Sequence, residues 1–276
     1  MTKREYAEKV AEIIGGKVIT TEKANGIVLT GVMREQEGSN MSPTVYIDEY
    51  YKDGFPVEEV AKRAEEIIKK NSRGNFDVEI LSKWENVRPL LRARLYNDKT
   101  KAEVKRSAKS YGFSDLIIVP YIDLNDYMEG ASVKITKALV EQYGVTERTV
   151  IDTAIKNSAK DISVVSMREM MKQMMKIDDE MFEAMFPETE PLMYVVSNSR
   201  KFFGAIGAIS AKKLLSEMFP EGYAIIPSSV HEIIAVPLKE DVSEDELSNM
   251  ITEVNATNVA AEEVFGSHAY IFREVA

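Results

Sequence analysis

The sequence contains no cysteine, two histidines and one tryptophan among its 276 residues. Without cysteine the chain forms no disulfide, carries no thiolate nucleophile and offers no thiolate to a metal ion. His231 begins the segment HEIIA, in which Ala235 stands where a zinc HExxH motif has its second histidine. We expect His231 and His268 to lie apart, and we predict a protein without a metal ion or other cofactor.

Long apolar runs are also missing. No stretch approaches the roughly 20 apolar residues that a membrane-spanning helix needs. The N-terminal segment MTKREYAEKVAEIIGG is charged and amphipathic, unlike the apolar core of a signal peptide. We therefore expect a cytoplasmic protein that does not bind membranes.

Basic residues are outnumbered, 35 against 45 acidic residues, which gives a net charge of −10. This charge repels phosphate backbones, so bulk binding of nucleic acid is not expected. The charge is nevertheless uneven along the chain. A basic stretch runs from Arg88 to Lys109, and an acidic stretch without any basic residue runs from Asp178 to Glu190.

Residues 1–165 show a mixed pattern of helices and strands, which predicts an N-terminal α+β domain. Thr2 and Glu5 have capping-box spacing, and a first helix follows that ends at Gly15-Gly16. Further helices are predicted over residues 56–70, 137–143 and 147–158. Strands are predicted over residues 17–21, 27–32, 44–47, 90–96, 116–122 and 132–135. Residues 166–190 then form a methionine-rich connecting helical segment.

Residues 191–276 predict a second α+β domain. Strands over residues 192–197, 223–227, 231–237 and 268–272 alternate with helices over 205–219 and 244–254, and a short helix is predicted near 258–265. The order β-α-β-β-α-β is that of a ferredoxin-like sandwich. Two helices cover one face of such a sheet, so its other apolar face must pack on the N-terminal region or on a second subunit.

The candidate ligand-binding residues combine positive charge with aromatic or nucleophilic groups; they are Arg92, Arg94, Tyr96, Arg200, Ser228 and His231. The first three share one face of a predicted strand, and Asp98 is predicted to begin a helix with Lys101, Lys105 and Lys109 in one row. These groups could bind an anion, or they could dock internally on the acidic stretch, which is the interpretation we prefer. Ser228 and His231 share a turn, but no GxSxG motif accompanies them and we assign no catalytic residue.

Methionine is concentrated in one place, with seven of 14 methionines between residues 167 and 185. Thioether side chains adapt to irregular partners, so Met170, Met171 and Met174 are candidates for partner binding. We expect them to be buried against another element of the chain or against a partner protein.

Several ordered phrases resemble an uncharacterised bacterial family, a domain of unknown function found in Firmicutes. They are YGFSDLIIVPYIDL, GASVKITKALVEQYGVTERTVIDTAIKNS, PLMYVVSNSRKFFGA, GYAIIPSSVHEIIAVP and EVNATNVAAEEVFGSHAYIF. The resemblance covers the chain from about Leu90 onward and implies no established activity.

Three functional hypotheses follow. The first, which we prefer, is a non-enzymatic intracellular binding or regulatory protein with a protein partner or self-association. The second is an enzyme or small-anion sensor with a cleft between the two halves of the chain. The third is an acidic mimic of nucleic acid. The first is preferred because polar residues suited to catalysis are not grouped with any specific spacing.

Overall fold

A computed structural model of the chain describes residues 1–35, 37, 42–70, 76–127, 130–175, 178–186, 193–238, 243, 245, 247–249, 251–252, 263–264 and 266–273. The fold is α+β, as predicted. Two compact units, Met1–Ile80 and Leu81–Ala276, divide the chain. The divisions predicted after residues 165 and 190 both fall inside the second unit, because a strand at Ile162–Ser166 pairs with one at Tyr194–Asn198.

The first unit is a three-stranded antiparallel sheet packed with helices. Its strands are β1 (Lys17–Glu22), β2 (Val28–Met33) and β3 (Thr44–Tyr46), and its helices are α1 (Lys3–Ile13), α2 (Asp48–Lys52) and α3 (Val57–Lys70). The predicted capping box of Thr2 and Glu5 begins α1. Val10 of α1 and Ala64 of α3 are fully buried in the core of this unit.

The second unit begins with a short helix, α4 (Trp84–Val87), and an antiparallel sheet. Its strands are β4 (Leu91–Asn97), β5 (Arg106–Ser107), β6 (Leu116–Asp123) and β7 (Ser132–Lys134), and the helices α5 (Lys137–Gln142) and α6 (Glu147–Ser158) follow. β6 pairs with the other three strands. Leu91, Ala93 and Leu95 are buried on the face of β4 that was predicted to be apolar.

The helix predicted to begin at Asp98 is wrong, because residues 98–105 form turns and irregular structure. The chain then pairs as β5, with Arg106 opposite Ile118 on β6. Val104 and Ala108 are buried on either side of this pairing. Sheet pairing and burial thus override the local helical pattern, and the three lysines do not form a helical row.

The last sheet contains β8 (Ile162–Ser166), β9 (Tyr194–Asn198), β10 (Tyr223–Ser229), β11 (Glu232–Pro237) and β12 (Tyr270–Phe272) in the order β12-β10-β11-β9-β8. The helices α9 (Gly207–Ser210) and α10 (Lys212–Met218) connect β9 to β10, where one helix was predicted. Residues 245, 247–249 and 251–252 are helical, as predicted, whereas the short helix expected near 258–265 falls largely outside the described residues.

This strand order corrects the ferredoxin-like prediction. In a ferredoxin-like sheet the last strand of the motif lies beside the first, which here would place β12 beside β9. Instead β12 pairs with β10, and β8 pairs with β9 in register from Ile162 to Ser166. The physical reason is that β8, a strand missed in the sequence, already pairs with that edge of β9.

Both faces of the last sheet are covered within the second unit. Ala224, Ile226 and Val236 pack with Leu247 and Ile251 of the helical residues after β11. On the opposite face, the ring of Phe113 lies 4.8 Å from Tyr270 and 5.4 Å from Phe272. The second face therefore packs on the region before residue 165. This is one of the two alternatives expected from the sequence, the other being a second subunit.

Candidate functional site

A cavity of about 250 Å³ lies in the second unit, between residues 92–161 and the loop that follows β9. It is lined by Arg92, Ala93, Tyr121, Asp123, Asn125, Ser158, Asp161, Asn198, Ser199, Arg200, Phe202, Phe203 and Ile206. The cavity therefore lies between the middle and C-terminal parts of the chain.

The loop over this cavity has a strained backbone. Lys201 and Phe203 have left-handed φ angles of 51° and 55°, which residues other than glycine rarely adopt. The side chain of Asn198 holds the loop, because it donates to Phe202 O at 2.8 Å and accepts from Phe202 N–H at 3.1 Å. Such strain persists where surrounding contacts hold it and is concentrated at functional positions in proteins.

Arg94 is wedged between two aromatic rings. Its guanidinium carbon lies 3.9 Å from the ring centre of Tyr121 and 3.7 Å from that of Phe203. Nη2 donates to Ser132 Oγ at 2.7 Å, and the ring of Tyr96 meets Phe203 edge-on at 6.3 Å. Burial raises the pKa of Tyr121, and the positive charge of Arg94 partly opposes the rise.

Arg94 and Tyr96 therefore dock internally on aromatic rings, and neither contacts the described part of the acidic stretch, residues 178–186, that was predicted to receive them. Cation–π contact with the two rings explains how the Arg94 guanidinium is held without a carboxylate partner among the described residues. Two acidic residues of that stretch have nearer partners, since Glu183 pairs with Arg168 and Asp179 with Lys172.

Arg200 and Arg92 both line the cavity but differ in their pairing. Arg200 contacts two carboxylates, Asp123 at 3.0 Å and Asp126 at 2.6 Å, so its charge is neutralised. Arg92 Nη1 donates to the carbonyl oxygens of Pro89 and Leu91 at 2.8 and 2.9 Å. Of the two arginines, Arg92 is the better placed to bind an anion.

His231 is held by hydrogen bonds on both ring nitrogens. Nδ1 accepts from Phe203 N–H at 3.1 Å, so in the neutral ring Nε2 carries the proton and donates to Glu263 Oε1 at 3.2 Å. The imidazole also stacks on Phe202, with 5.3 Å between ring centres. His231 therefore fixes the loop beside the cavity.

The structure does not bring Ser228 and His231 together as a nucleophile and base. Ser228 lies at a bulge in β10, between Pro227 and Ser229. In the described part of the chain the imidazole nitrogens bond Phe203 N–H and Glu263. Two other serine hydroxyls bond the His231 backbone: Ser229 Oγ accepts from its N–H at 3.1 Å, and Ser197 Oγ donates to its carbonyl oxygen at 2.8 Å. The geometry gives no activated serine at this turn.

The two histidines contact different carboxylates. His268 Nε2 lies 3.9 Å from Asp115 Oδ1, to which the hydroxyl of Tyr270 donates at 2.9 Å. Burial and the Asp115 carboxylate raise the pKa of Tyr270 well above its ordinary value. Among the described residues, no group of three or more histidine and carboxylate side chains is arranged to hold a metal ion.

The methionine-rich segment forms two helices, α7 (Met167–Met175) and α8 (Asp179–Met185), where one helical segment was predicted. Phe182 is fully buried, and the guanidinium of Arg168 lies over its ring at 5.0 Å. Met170 and Met171 are half-buried within the chain. Met174 is 75% exposed, so its burial would require a partner.

Four methionines of these two helices are exposed, and we refer to them together as the methionine surface. Its members are Met174, Met175, Met181 and Met185, of which the last two are 53% and 55% exposed. Large exposed apolar side chains in a group are typical of interaction sites. Across the described ranges, no helix is long and apolar enough to cross a membrane.

Sequence reasoning missed the residues that organise the cavity. Phe202 and Phe203 are adjacent aromatic residues in an otherwise polar loop, and this pair is the feature of the sequence that could have identified them. Tyr121 and Asp123 belong to a strand that was predicted, but its pairing with β4, which places them at the cavity, is a tertiary feature. Asp161 follows a helix and had no signal in the sequence.

Comparison with known proteins gives one family match. The model of a family described as a family of unknown function matches residues 2–274. The match includes the first unit, for which no resemblance was identified in the sequence. No curated protein and no solved structure matches the chain.

Proposed function

The chain belongs to DUF5688, a family of unknown function, and from the geometry of its residues we propose that it is a non-catalytic binding or regulatory protein. It binds a protein partner through the methionine surface. The observation that carries this proposal is the exposure of Met174, Met181 and Met185. Burying one methionine side chain contributes about 1.5–3 kcal/mol, so a partner that covers three of them gains substantially.

The partner chemistry follows from the charge around the methionine surface. The described residues of α7, α8 and the residue before α8 carry five acidic side chains, Glu169, Asp178, Asp179, Glu180 and Glu183, against two basic ones, Arg168 and Lys172. A basic amphipathic helix complements such a surface, because its apolar face meets the thioethers and its lysines meet the carboxylates. The excess of negative charge opposes self-association through the same surface.

An enzyme is the less favoured alternative, because the groups nearest to catalytic use already have internal roles. His231 is engaged at both nitrogens, and Arg94 is wedged between rings. Arg200 is paired with two carboxylates. The proposal includes a location in the bacterial cytoplasm, which cell fractionation with an antibody against the native protein tests.

The test uses a defined probe, a helical peptide of leucine and lysine whose apolar residues form one face. Binding is measured by calorimetry with the native chain, with Met174→Glu/Met181→Glu/Met185→Glu and with Leu214→Glu. Leu214 is 46% exposed on α10 and serves as the matched control. We expect the triple variant to bind at least tenfold more weakly, since tenfold corresponds to about 1.4 kcal/mol and one buried methionine supplies that much.

Equal binding by the triple variant and the Leu214→Glu control would contradict the proposal. Binding that falls steeply with salt but is unchanged in the triple variant would favour the nucleic-acid mimic instead, since charge alone would then carry it. A methionine-dependent dimer in sedimentation experiments would favour self-association.

A further inference from the structure

The cavity under the β9–α9 loop carries two charged groups of opposite sign that have no ion-pair partner among the described residues. Its charged lining consists of Arg92, Arg200, Asp123 and Asp161. Arg200 and Asp123 neutralise each other at 3.0 Å. Within the described part of the chain, neither Arg92 nor Asp161 forms a salt bridge. One guanidinium and one carboxylate thus remain to face a ligand in the same small space.

The hydrogen-bonding pattern of Arg92 leaves part of its guanidinium for a ligand. Nη1 is occupied by the carbonyl oxygens of Pro89 and Leu91. Nε and Nη2 have no protein hydrogen-bond acceptor among the described residues, and together they form the edge that binds a carboxylate through two parallel hydrogen bonds.

The size of the cavity limits the ligand. Its volume of about 250 Å³ corresponds to roughly eight water molecules at about 30 Å³ each, which suits a compact metabolite. Ile206 and the ring of Phe202 supply an apolar wall for a short side chain. The amide of Asn198 is already bonded to the Phe202 backbone, so it holds the loop in place.

The charge balance selects the class of ligand. A simple anion would gain from Arg92 but would be repelled by Asp161, and a simple cation would meet the reverse. A compact zwitterion satisfies both groups. We propose that this cavity binds a free amino acid, with its carboxylate on Arg92 and its ammonium group on Asp161. This ligand site is separate from the methionine surface, and each can fail without the other.

The experiment measures the melting temperature and calorimetric binding of the full chain with each of the twenty protein amino acids as probes. A ligand that binds the folded state raises the melting temperature in proportion to the logarithm of its concentration above Kd. We expect one or a few amino acids to bind. For each that binds, the analogue without the amine and the analogue without the carboxylate should bind at least tenfold more weakly.

Variants test the assigned roles of the two charges. Arg92→Gln and Asp161→Asn should each weaken binding at least tenfold, and Arg92→Lys should weaken it less than Arg92→Gln because it keeps the charge. Arg88→Gln and Glu85→Gln change exposed residues outside the cavity and should bind as the native chain does. All variants are compared only where their unliganded circular dichroism matches the native spectrum.

Three outcomes would overturn the proposal. The first is that none of the twenty amino acids binds or raises the melting temperature. The second is that an analogue lacking one charge binds as well as its parent amino acid. The third is that folded Arg92→Gln or folded Asp161→Asn binds as the native chain does. Retained binding in the methionine-surface triple variant is expected, because that surface does not line the cavity.

Discussion

Replacing Gly204 with alanine tests the packing that holds the loop over the cavity. An added Cβ atom at this position would lie 2.4 Å from Ser197 Oγ, 2.7 Å from Asn198 N and 2.7 Å from His231 O. Two of these atoms belong to the backbone of β9 and of the β10–β11 turn, so neither can rotate away. Overpacking of this kind typically lowers the free energy of unfolding by 1–3 kcal/mol and occasionally by more, and for Gly204→Ala we expect a loss of about 3 kcal/mol.

The assay is thermal unfolding followed by circular dichroism. For a unit of this size 1 kcal/mol corresponds to about 2–4 °C, so Gly204→Ala should lower Tm by about 6–12 °C. Gly144→Ala is the matched control, because nothing lies within 4 Å of its added Cβ and the only cost is a left-handed φ of +64°. That conformation costs about 1–2 kcal/mol for a residue with a side chain.

A double variant separates the contributions of the three contacts. Ser197→Ala removes the hydroxyl that donates to His231 O at 2.8 Å, but it leaves both backbone contacts of residue 204 in place. Gly204→Ala/Ser197→Ala should therefore remain less stable than Ser197→Ala alone by at least 1 kcal/mol or so. The reasoning is refuted if the Tm of Gly204→Ala is no lower than the Tm of the Gly144→Ala control.

Three further predictions concern buried groups. Phe182→Ala should lower the local free energy of unfolding of α7 and α8 by about 3–5 kcal/mol, so hydrogen exchange in both helices should become faster. Unchanged exchange would show that the Phe182 ring does not hold the two helices in place. Ser158→Ala should cost about 1–3 kcal/mol in chemical unfolding, because the Ala93 N–H that donates to its hydroxyl at 2.9 Å is buried; a loss below about 0.5 kcal/mol would contradict this. The pKa of Tyr270 is raised in the folded state, so its contribution to stability is fully present below the ordinary tyrosine pKa of 10.0 and is lost as pH rises from there through the folded-state pKa. Asp115→Asn should lower the pKa of Tyr270 in tyrosinate absorbance titrations, and an unchanged titration would refute the role given to that carboxylate.

Features that depend only on residues close together in the chain could be predicted before the structure was known. The capping box of Thr2 and Glu5 was predictable because its atoms are three residues apart and their hydrogen bonds are local. Alternation along Leu91–Asn97 correctly predicted the buried and half-buried faces of β4, because strand side chains alternate with a period of two. The α+β class followed from the same local periodicities.

Only the tertiary structure decided which edges pair and which side chains meet. β8 was missed, and its pairing with β9 leaves β12 beside β10, so the sheet order could not follow from the order of elements alone. Arg92, Arg94 and Arg200 were candidates of equal standing in the sequence. They differ in the structure because Arg92 donates to two backbone carbonyls through Nη1, Arg94 is wedged between rings and Arg200 is neutralised by carboxylates. These partners are distant in sequence, and local patterns carry no information about contacts formed when the sheets pack.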